Sequence, residues 1–232
     1  MIPVVISQPD ALTAWVAAAR HLTSIKGAVA TNVVIYIASP TAWHSEWFER
    51  VDPRKVNASG EDQSDVANTI FPSKTWKNSA TREALYSRYK RAHRMGSTKS
   101  WGTYFLRLVE FGREGVNQLE RAIQVLNNWE KEPGTAIVFH LSSAETDRPR
   151  PLGGPCLQLC MLHAYDGRID MTAIYRNHDY FNKAFANFVG LGRLLEFVCS
   201  QTNRKPGSLV CHSGHAYVSS GKGALDTLIR RI

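Results

Sequence analysis

Cys156 is the residue with the clearest potential for covalent chemistry in this sequence. It follows Leu152-Gly153-Gly154-Pro155, a turn that would present it at the start of a strand. A thiol becomes a nucleophile only when its thiolate is stabilised, usually by a neighbouring cation. Arg148, Arg150 and Arg176 are candidates for that cation. A cysteine before an apolar strand can equally be a packing residue, so Cys156 by itself leaves both interpretations open.

The remaining cysteines and several histidines have the residue types that bind metals, but not the spacing. No C-x-x-C pair occurs, which argues against a zinc ribbon or finger. Cys160 and His163 are three residues apart, so on a strand they would point to opposite faces. Four cysteines in 232 residues are also too few for a disulfide framework. We therefore expect no metal site and four thiols.

Several short motifs follow Cys156 in a fixed order. Asp166-Gly167 comes ten residues after it, and Arg176-Asn177-His178-Asp179 comes next. Asn187 and then His215-Ala216-Tyr217 complete the series. This order resembles the thymidylate synthase superfamily, whose members show P-C-H, D-G, R-S-x-D, a following N, and H-x-Y. Five ordered motifs at these distances are unlikely to coincide by chance.

The resemblance covers roughly residues 100 to 217, including Trp101-Gly102 and the segment from 114 to 131. It implies that Cys156 adds to C6 of a pyrimidine ring and turns C5 into a nucleophile. C5 then captures a one-carbon unit, in this family normally from 5,10-methylenetetrahydrofolate. It also implies that Arg176 binds the nucleotide phosphate and lowers the pKa of Cys156.

The same resemblance assigns the other site residues. Asn177 stands where the family usually has a phosphate-binding Ser and would donate a hydrogen bond there. Asp179 would order the folate and the base pocket, and Trp101 would also contact the cofactor. Asn187 would read the pyrimidine edge. The sugar hydroxyl would be held by the two residues of the last motif, which are His215 and Tyr217.

Several positions depart from the family pattern. Leu157 replaces the His that normally follows the nucleophile, and Gly134-Thr135-Ala136 stands where the family has an S-R-R that contributes two arginines to the partner subunit. The N-terminal R-T-G-T-G loop and the segment with the catalytic Glu are not recognisable, and Glu61 or Asp65 could take that role. Only fifteen residues follow Tyr217, so we expect the tail that closes over folate to be absent.

The elements that must position these residues can be predicted from periodicity and turn signals. Helices are predicted from Asp10, over 114–131 and over 182–201. Strands are predicted over 28–38, 136–141, 158–164 and 169–175, with a hairpin turn at Asp166-Gly167. Loops are predicted over 50–65 and 93–100. This mixture indicates an α+β class. With the resemblance, we expect one thymidylate synthase-like domain over residues 1–232, with residues 1–99 divergent. Its mixed sheet would pack on a central buried helix, and the protein would be a homodimer.

Composition and charge exclude several classes of protein. The chain is 44% apolar and 21% charged, which is ordinary for a globular protein, and no apolar run approaches membrane length. No leader is evident, so we expect a cytoplasmic protein. The formal charge of +8 favours an anionic ligand. Most of the excess falls in Lys74 to Lys99, which is either a solvated helix face or a surface for phosphate or nucleic acid.

The sequence therefore predicts a divergent one-carbon transferase of this superfamily. It would transfer a methyl or hydroxymethyl group to C5 of UMP, CMP or their deoxy forms. Two other classes stay open. One is a folate-independent or catalytically altered protein that keeps the nucleotide pocket, and the other is a nucleic-acid binder that uses residues 74–99, whose binding would fall steeply with salt.

Overall fold

The computed structural model describes residues 3–96, 101–128, 134–147 and 153–232. The strands are β1 (Val4–Gln8), β2 (Val29–Ile37), β3 (Ile137–His140), β4 (Leu157–Tyr165), β5 (Arg168–Tyr175), β6 (His178–Asp179) and β7 (Lys205–Tyr217). The helices are α1 (Ala11–Ser24), α2 (Glu46–Arg50), α3 (Gln63–Asn68), α4 (Ser73–Lys77), α5 (Arg82–Gly96), α6 (Tyr104–Val109), α7 (Gln118–Asn128), α8 (Ala184–Gln201) and α9 (Gly221–Ile229).

The strands form one mixed sheet in the order β1-β2-β7-β5-β4-β3, and the short β6 pairs with β7. β1 runs parallel to β2, and β7 runs parallel to β5 and β6. The β2–β7, β3–β4 and β4–β5 pairs are antiparallel. The class is therefore α+β, as predicted. The long β7 is the central member, because it carries β2 on one side and β5 on the other.

The two faces of this sheet have different environments. On one face, Ile35, Cys211, Ala173, Cys160 and Phe139 are fully buried in the core. The opposite face carries apolar side chains that are in register across the strands and keep at least part of their surface exposed, namely Val5, Val34, Tyr36, Val210, Ile174, Met161 and Val138. Together with Thr172 and His212, which lie between them in the register, these residues form a mostly apolar surface on the outside of the sheet.

Local sequence signals explain the elements that were predicted. Asp10 accepts hydrogen bonds from the backbone nitrogens of Leu12 and Thr13 and so begins α1. Asp166 and Gly167 both have positive φ, at 48° and 70°, as a tight hairpin turn between β4 and β5 requires. The apolar segment Ala184–Gln201 is a helix whose side chains are nearly all buried.

Other boundaries differ from the prediction. The helix expected from residue 114 begins only at Gln118, because the chain turns at Gly115 with φ 65° and Asn117 caps the helix through the backbone nitrogen of Glu120. Its predicted end falls partly outside the described residues. The loop predicted over 50–65 contains a 3-10 turn at Pro53–Lys55 and the beginning of α3. The loop predicted from 93 is wrong up to Gly96, where α5 ends.

Two further observations concern function classes. In the described ranges, no helix is both long and apolar enough to cross a bilayer. No group of three or more His, Cys, Asp or Glu side chains in that part of the chain could hold a metal ion. All four cysteines are free, and Cys156 is the one that is partly exposed.

Candidate active site

A cavity of about 730 Å³ collects most of the predicted site residues. This volume is within the usual range for small-molecule sites. Six of the eight predicted residues line it, namely Trp101, Cys156, Asn177, Asp179, Asn187 and Tyr217. Glu61 and Asp65, the two candidates for the missing general base, line it as well. The fold therefore brings residues from the first hundred positions to the same cavity as Cys156.

Cys156 is held at this cavity by backbone contacts. Its N–H and that of Leu157 both donate to the hydroxyl oxygen of Tyr104, at 3.1 and 3.2 Å. Its thiol lies 3.9 Å from the carbonyl oxygen of Gly154. Leu157 itself is fully buried, so the side chain after the nucleophile faces the core. Tyr104 was not predicted as a site residue.

Arg176 lies beside the turn that carries Cys156. Its Nε donates to the carbonyl oxygen of Pro155 at 3.1 Å, and its backbone N–H donates to the carbonyl oxygen of Cys156 at 2.9 Å. A Cβ atom at Gly154 would come within 3.2 Å of an Arg176 guanidinium nitrogen, so the glycine leaves room for the Arg176 side chain. Arg148 and Arg150, the other candidate cations, lie outside the described residues.

The pKa of the Cys156 thiol is raised above its ordinary value of 9.0 because burial disfavours the thiolate. The charges of Arg176 and Lys183 act in the opposite direction and lower this pKa, while Asp179 raises it. Arg176 thus lowers the pKa of Cys156, as expected, but burial outweighs this effect and the pKa is raised overall. An activated thiolate would need further positive charge or a change in solvation at the site.

Asp179 has its carboxylate oxygens engaged by the protein. Oδ1 accepts from the backbone nitrogens of Phe181 and Ser219, at 3.0 and 3.3 Å. Oδ2 accepts from the Ser219 hydroxyl at 2.7 Å and from the Asn182 amide at 3.3 Å. These bonds join the turn before α8 to the segment after β7. Asp179 therefore fixes the shape of the cavity wall.

Asn177 and Asn187 both line the cavity, and each side-chain amide contacts a histidine ring. Asn177 Oδ1 lies 3.0 Å from Nδ1 of His215, and Asn187 Nδ2 lies 3.1 Å from Nε2 of His178. His215 is not among the described side chains that line the cavity, and it reaches the site through Asn177. Its ring stacks on that of Tyr217, with centroids 5.5 Å apart.

Lys183 is a second side chain that the sequence reasoning did not select. It lines the cavity and forms an ion pair with Glu61. Glu61 also donates its backbone N–H to the Asn182 amide oxygen at 3.2 Å. Lys183 is more than a hundred residues from Glu61 in the chain, and it lies only four residues before Asn187. It lies within the helix predicted over 182–201, which gave no signal for a site residue.

The basic segment Lys74 to Lys99 is partly neutralised within the fold. Arg82 forms a salt bridge of 2.9 Å with Glu120, and Lys90 lies 3.9 Å from Glu110. Arg88 donates to the carbonyl oxygen of Asn78. These contacts favour the interpretation of the segment as a helix face that packs on α7 and its neighbours.

Comparison with known proteins places this site in a family context. Over 116 residues the chain is 31% identical to a protein named "Putative thymidylate synthase" from Methanothermobacter marburgensis, covering 49% of this chain and 51% of the relative. A relative of the same name from Methanothermobacter thermautotrophicus is 31% identical over 104 residues, covering 45% and 46%. A third, from Methanosarcina acetivorans, is 30% identical over 117 residues, covering 50% and 52%.

Over about half of its length the chain resembles several proteins named as thymidylate synthases. The resemblance predicted from the ordered motifs is thereby confirmed. The chain spans about half the length of the curated relatives it matches. No family model matches it.

Compared with the motif pattern of the family, this site has a different distribution of polar groups. The side chain after the nucleophile is apolar, at Leu157, and a histidine stands instead within the Arg176-Asn177-His178-Asp179 motif. That histidine lines the cavity next to Asn187. His178 belongs to a motif recognised in the sequence, but no role was predicted for it.

Proposed function

We propose that this protein transfers a one-carbon unit to C5 of a pyrimidine nucleotide through a covalent adduct with Cys156. The observation that carries the proposal is the position of the Cys156 thiol. It is the partly exposed thiol among the four cysteines, and it lies in the cavity that also holds Asn177, Asn187 and Tyr217. The relatives named as thymidylate synthases support the same reaction class.

The proposed chemistry begins with the thiolate of Cys156. Its sulfur forms a bond to C6 of the pyrimidine, and the C5–C6 double-bond electrons move to C5 and the C4 substituent. C5 is then nucleophilic and would form a bond to the one-carbon unit as the bond of that carbon to its carrier nitrogen breaks. Water would complete a hydroxymethyl group, and a hydride from the reduced folate would complete a methyl group. A base removes the C5 hydrogen as a proton, the double bond re-forms, and the C6–sulfur bond breaks to return the thiolate. Glu61, paired with Lys183 at the cavity, is our candidate for that base.

The phosphate is proposed to bind beside the 154–156 turn. Arg176 is held there by the Pro155 carbonyl but is not among the described residues that line the cavity, whereas the next residue, Asn177, lines it. A guanidinium can bind phosphate through two parallel hydrogen bonds. The positive charge of Arg176 and the engaged amide of Asn177 would then fix one end of the nucleotide, and Asn187 would meet the base at the other.

The residues at the cavity fit a reduced folate. The aromatic ring of Trp101 can stack on a flat heterocycle, and the carboxylates of Glu61, Asp62 and Asp65 can accept hydrogen bonds from its amino group. When bound, 5,10-methylenetetrahydrofolate supplies a carbon at the oxidation level of formaldehyde. Asp179, with its carboxylate engaged by Ser219, would support this part of the site by shaping its wall.

We also propose that the protein is one thymidylate synthase-like domain that acts as a homodimer. β1 and β2, from the divergent first hundred residues, complete the same sheet as the strands around Cys156. The exposed apolar surface on the outer face of that sheet is the proposed contact with a second copy. Contiguous exposed apolar surface of this kind typically marks an interface, and self-association through one shared patch gives a two-fold dimer.

The test of the reaction is exchange of the C5 hydrogen. The protein is incubated in deuterated water with UMP, CMP, dUMP or dCMP, with and without methylenetetrahydrofolate, and the nucleotides are analysed by mass. We expect exchange with at least one nucleotide, and a methylated or hydroxymethylated product when the folate is present. Cys156→Ala should abolish exchange and leave nucleotide binding nearly intact. Exchange that persists in this variant would contradict the covalent mechanism.

A matched set of cysteine variants serves as the control. Cys160→Ala and Cys211→Ala remove buried thiols on β4 and β7, and we expect both to retain exchange. Exchange without any product in the presence of folate would instead support the folate-independent alternative. Binding of RNA or DNA that falls with salt and is unaffected by Cys156→Ala, without nucleotide exchange, would favour the nucleic-acid alternative.

A further inference from the structure

Three buried polar side chains form a continuous hydrogen-bonded chain behind the cavity. The Ser213 hydroxyl on β7 lies 2.8 Å from Nδ1 of His178, and Nε2 of His178 lies 3.1 Å from Nδ2 of Asn187 on α8. Their exposed fractions are 0% for Ser213, 1% for His178 and 4% for Asn187. The chain ends at the cavity, because His178 and Asn187 both line it.

The imidazole of His178 is neutral in this environment. Complete burial lowers its pKa to about 3. Its ring stacks on Tyr175 with centroids 4.0 Å apart and meets the edge of Phe188 at 5.7 Å. The neighbouring carboxylate of Asp179 accepts hydrogen bonds from Phe181, Asn182 and Ser219, so its oxygens are engaged away from the ring. A neutral imidazole carries one N–H donor and one acceptor nitrogen.

A neutral imidazole therefore allows the hydrogen bonds that link Ser213, His178 and Asn187 to run in either of two directions. In the first, Nδ1–H of His178 donates to Ser213 Oγ, and Nε2 accepts from the Asn187 amide. In the second, the Ser213 hydroxyl donates to Nδ1, and Nε2–H donates to the oxygen of Asn187. A serine hydroxyl can donate and accept, and the Tyr180 hydroxyl, 3.4 Å from Ser213 Oγ, can accept its hydrogen in the first direction, so both directions leave every member paired. The change from one to the other is a tautomer change of His178 and a half-turn of the Asn187 amide.

A half-turn of the Asn187 amide exchanges the positions of the hydrogen-bond donor and acceptor that it offers to a bound base. A carboxamide shows a C=O and an N–H side by side, and a rotation of the group swaps their places. Uracil offers N3–H and O4 at one edge, and cytosine offers N3 and its amino group at the same edge. The two bases therefore require opposite orientations of the amide.

We propose that His178 is a positioning residue that lets this site read both uracil and cytosine, each with a different neutral tautomer. This inference rests on the proposed binding of pyrimidine nucleotides in the cavity. His178 does not touch the base. It keeps the buried side of Asn187 paired in either orientation, so that neither base leaves an unmade hydrogen bond in the core.

The direct test is nitrogen NMR of the full-length protein labelled with ¹⁵N-histidine. The shifts of Nδ1 and Nε2 report which nitrogen carries the hydrogen, and the signals of His178 are identified by their loss in His178→Phe. Spectra are recorded for the free protein and with saturating UMP and CMP. We expect the protonated nitrogen to differ between the two complexes. The same tautomer in both complexes would overturn the proposal.

Binding measurements on variants give an independent readout. His178→Phe keeps a flat ring against Tyr175 but leaves Asn187 without its partner, so we expect both nucleotides to bind about tenfold more weakly. His178→Gln can again donate or accept, and it should recover most of the affinity for both. In an Asn187→Ala background, the same two substitutions should leave nucleotide affinity unchanged. Loss of affinity in His178→Gln equal to that in His178→Phe would contradict the proposal.

The outcomes separate this inference from the proposed function. A parent protein that binds none of UMP, CMP, dUMP and dCMP contradicts both. A parent that binds and exchanges nucleotides of one base only, or that keeps one His178 tautomer with both bases, retains the proposed function and overturns the role of His178.

Discussion

The hydroxyl oxygen of Tyr104 lies 3.1 Å from the backbone nitrogen of Cys156 and accepts its hydrogen bond. The same oxygen accepts the N–H of Leu157 at 3.2 Å. Tyr104 belongs to α6, whereas the two nitrogens belong to the beginning of β4. One buried hydroxyl on a helix thus sets where the strand begins, and with it the position of the thiol at the cavity.

We predict that Tyr104→Phe weakens both the fold and the proposed reaction. The substitution leaves two backbone N–H groups without their acceptor, and an unmade buried bond costs about 1–3 kcal/mol. Urea unfolding should show a lower free energy of unfolding by roughly that amount. C5 exchange should fall as well, because the nucleophile loses its fixed position.

Tyr86→Phe is the matched control. Its hydroxyl lies 3.1 Å from a carboxylate oxygen of Glu120 on α7, so this substitution also removes a partly buried hydrogen bond, but not one made by α6 or by Cys156. We expect some loss of stability and unchanged exchange. Equal exchange in the two variants would contradict the positioning role of Tyr104.

The second prediction concerns the pH dependence of the thiol. Burial raises the pKa of Cys156 above 9.0, so in the free protein the thiolate fraction should still be increasing at pH 9. The rate of alkylation by iodoacetamide should therefore rise continuously from pH 7 to beyond pH 9. Arg176→Ala should move the curve to higher pH, because the charge of Arg176 lowers this pKa.

The label should be confined to Cys156, because the other three cysteines are buried. Cys156→Ala should accordingly take up almost none. An alkylation rate that is already at its maximum at pH 7 would show that the thiol is activated in the free protein, contrary to this prediction.

The parts of the fold that could be predicted are those specified by local sequence. Asp10 caps α1 through its own neighbours, and Asp166-Gly167 adopts the positive φ values of a tight turn. Strand β1 was not predicted, because its sequence, VVISQ, is short and does not alternate between apolar and polar residues. Helix α7 began later than predicted, since its periodic pattern continues upstream through the turn at Gly115.

The residues of the candidate site likewise include some that could be predicted from the sequence and some that could not. Of the sixteen described residues that line the cavity, the ordered motifs had assigned five, namely Cys156, Asn177, Asp179, Asn187 and Tyr217. Tyr104, His178 and Lys183 were not assigned, because their roles come from contacts with residues far along the chain or on another element. Such contacts leave no periodicity or spacing in the sequence, so only the assembled sheet and helices reveal them.

The third prediction tests the phosphate site. Losing a charge-assisted hydrogen bond to phosphate costs on the order of 1.5–3 kcal/mol, which is about ten- to a hundredfold in affinity. Arg176→Ala should lose that much affinity for a nucleotide and little for the corresponding nucleoside. Isothermal titration with both ligands measures the difference. Arg121→Ala, an exposed position on α7, is the matched control. Equal binding of nucleotide by Arg176→Ala and the parent would show that the phosphate binds elsewhere.

The fourth prediction concerns the proposed homodimer. Tyr36 is 38% exposed on the outer apolar surface of the sheet, in register with Val210 of β7. Tyr36→Glu would place a charge in the contact with the second copy, where it would have to lose its water. Analytical ultracentrifugation should show a dimer for the parent and a monomer for this variant. Thr31→Glu lies near the end of the same strand and should leave the dimer intact. A parent that is monomeric at all concentrations would contradict the proposal.

The last prediction concerns Asn187 and the base. Asn187→Asp replaces the amide by a group that can only accept hydrogen bonds, so nothing at this position can donate to O4 of uracil. Inside the protein the new carboxylate can still accept from Nε2–H of His178, with the Ser213 hydroxyl donating to Nδ1 of the same ring. The buried side of position 187 therefore stays paired, and the loss falls on the side that faces the ligand. We expect uracil nucleotides to bind more weakly by about 1–3 kcal/mol, and cytosine nucleotides to be retained or gained.

Competition binding of UMP and CMP, each with its deoxy form, to the parent and Asn187→Asp measures this change in preference. Asn127→Asp makes the same change of charge on the distant helix α7, at an exposed position, and should leave the ratio of the two affinities unaltered. The ratio is the informative quantity, because a general loss of stability would lower both affinities together. Equal losses for the two bases would show that Asn187 supports the fold around His178 and does not read the ring.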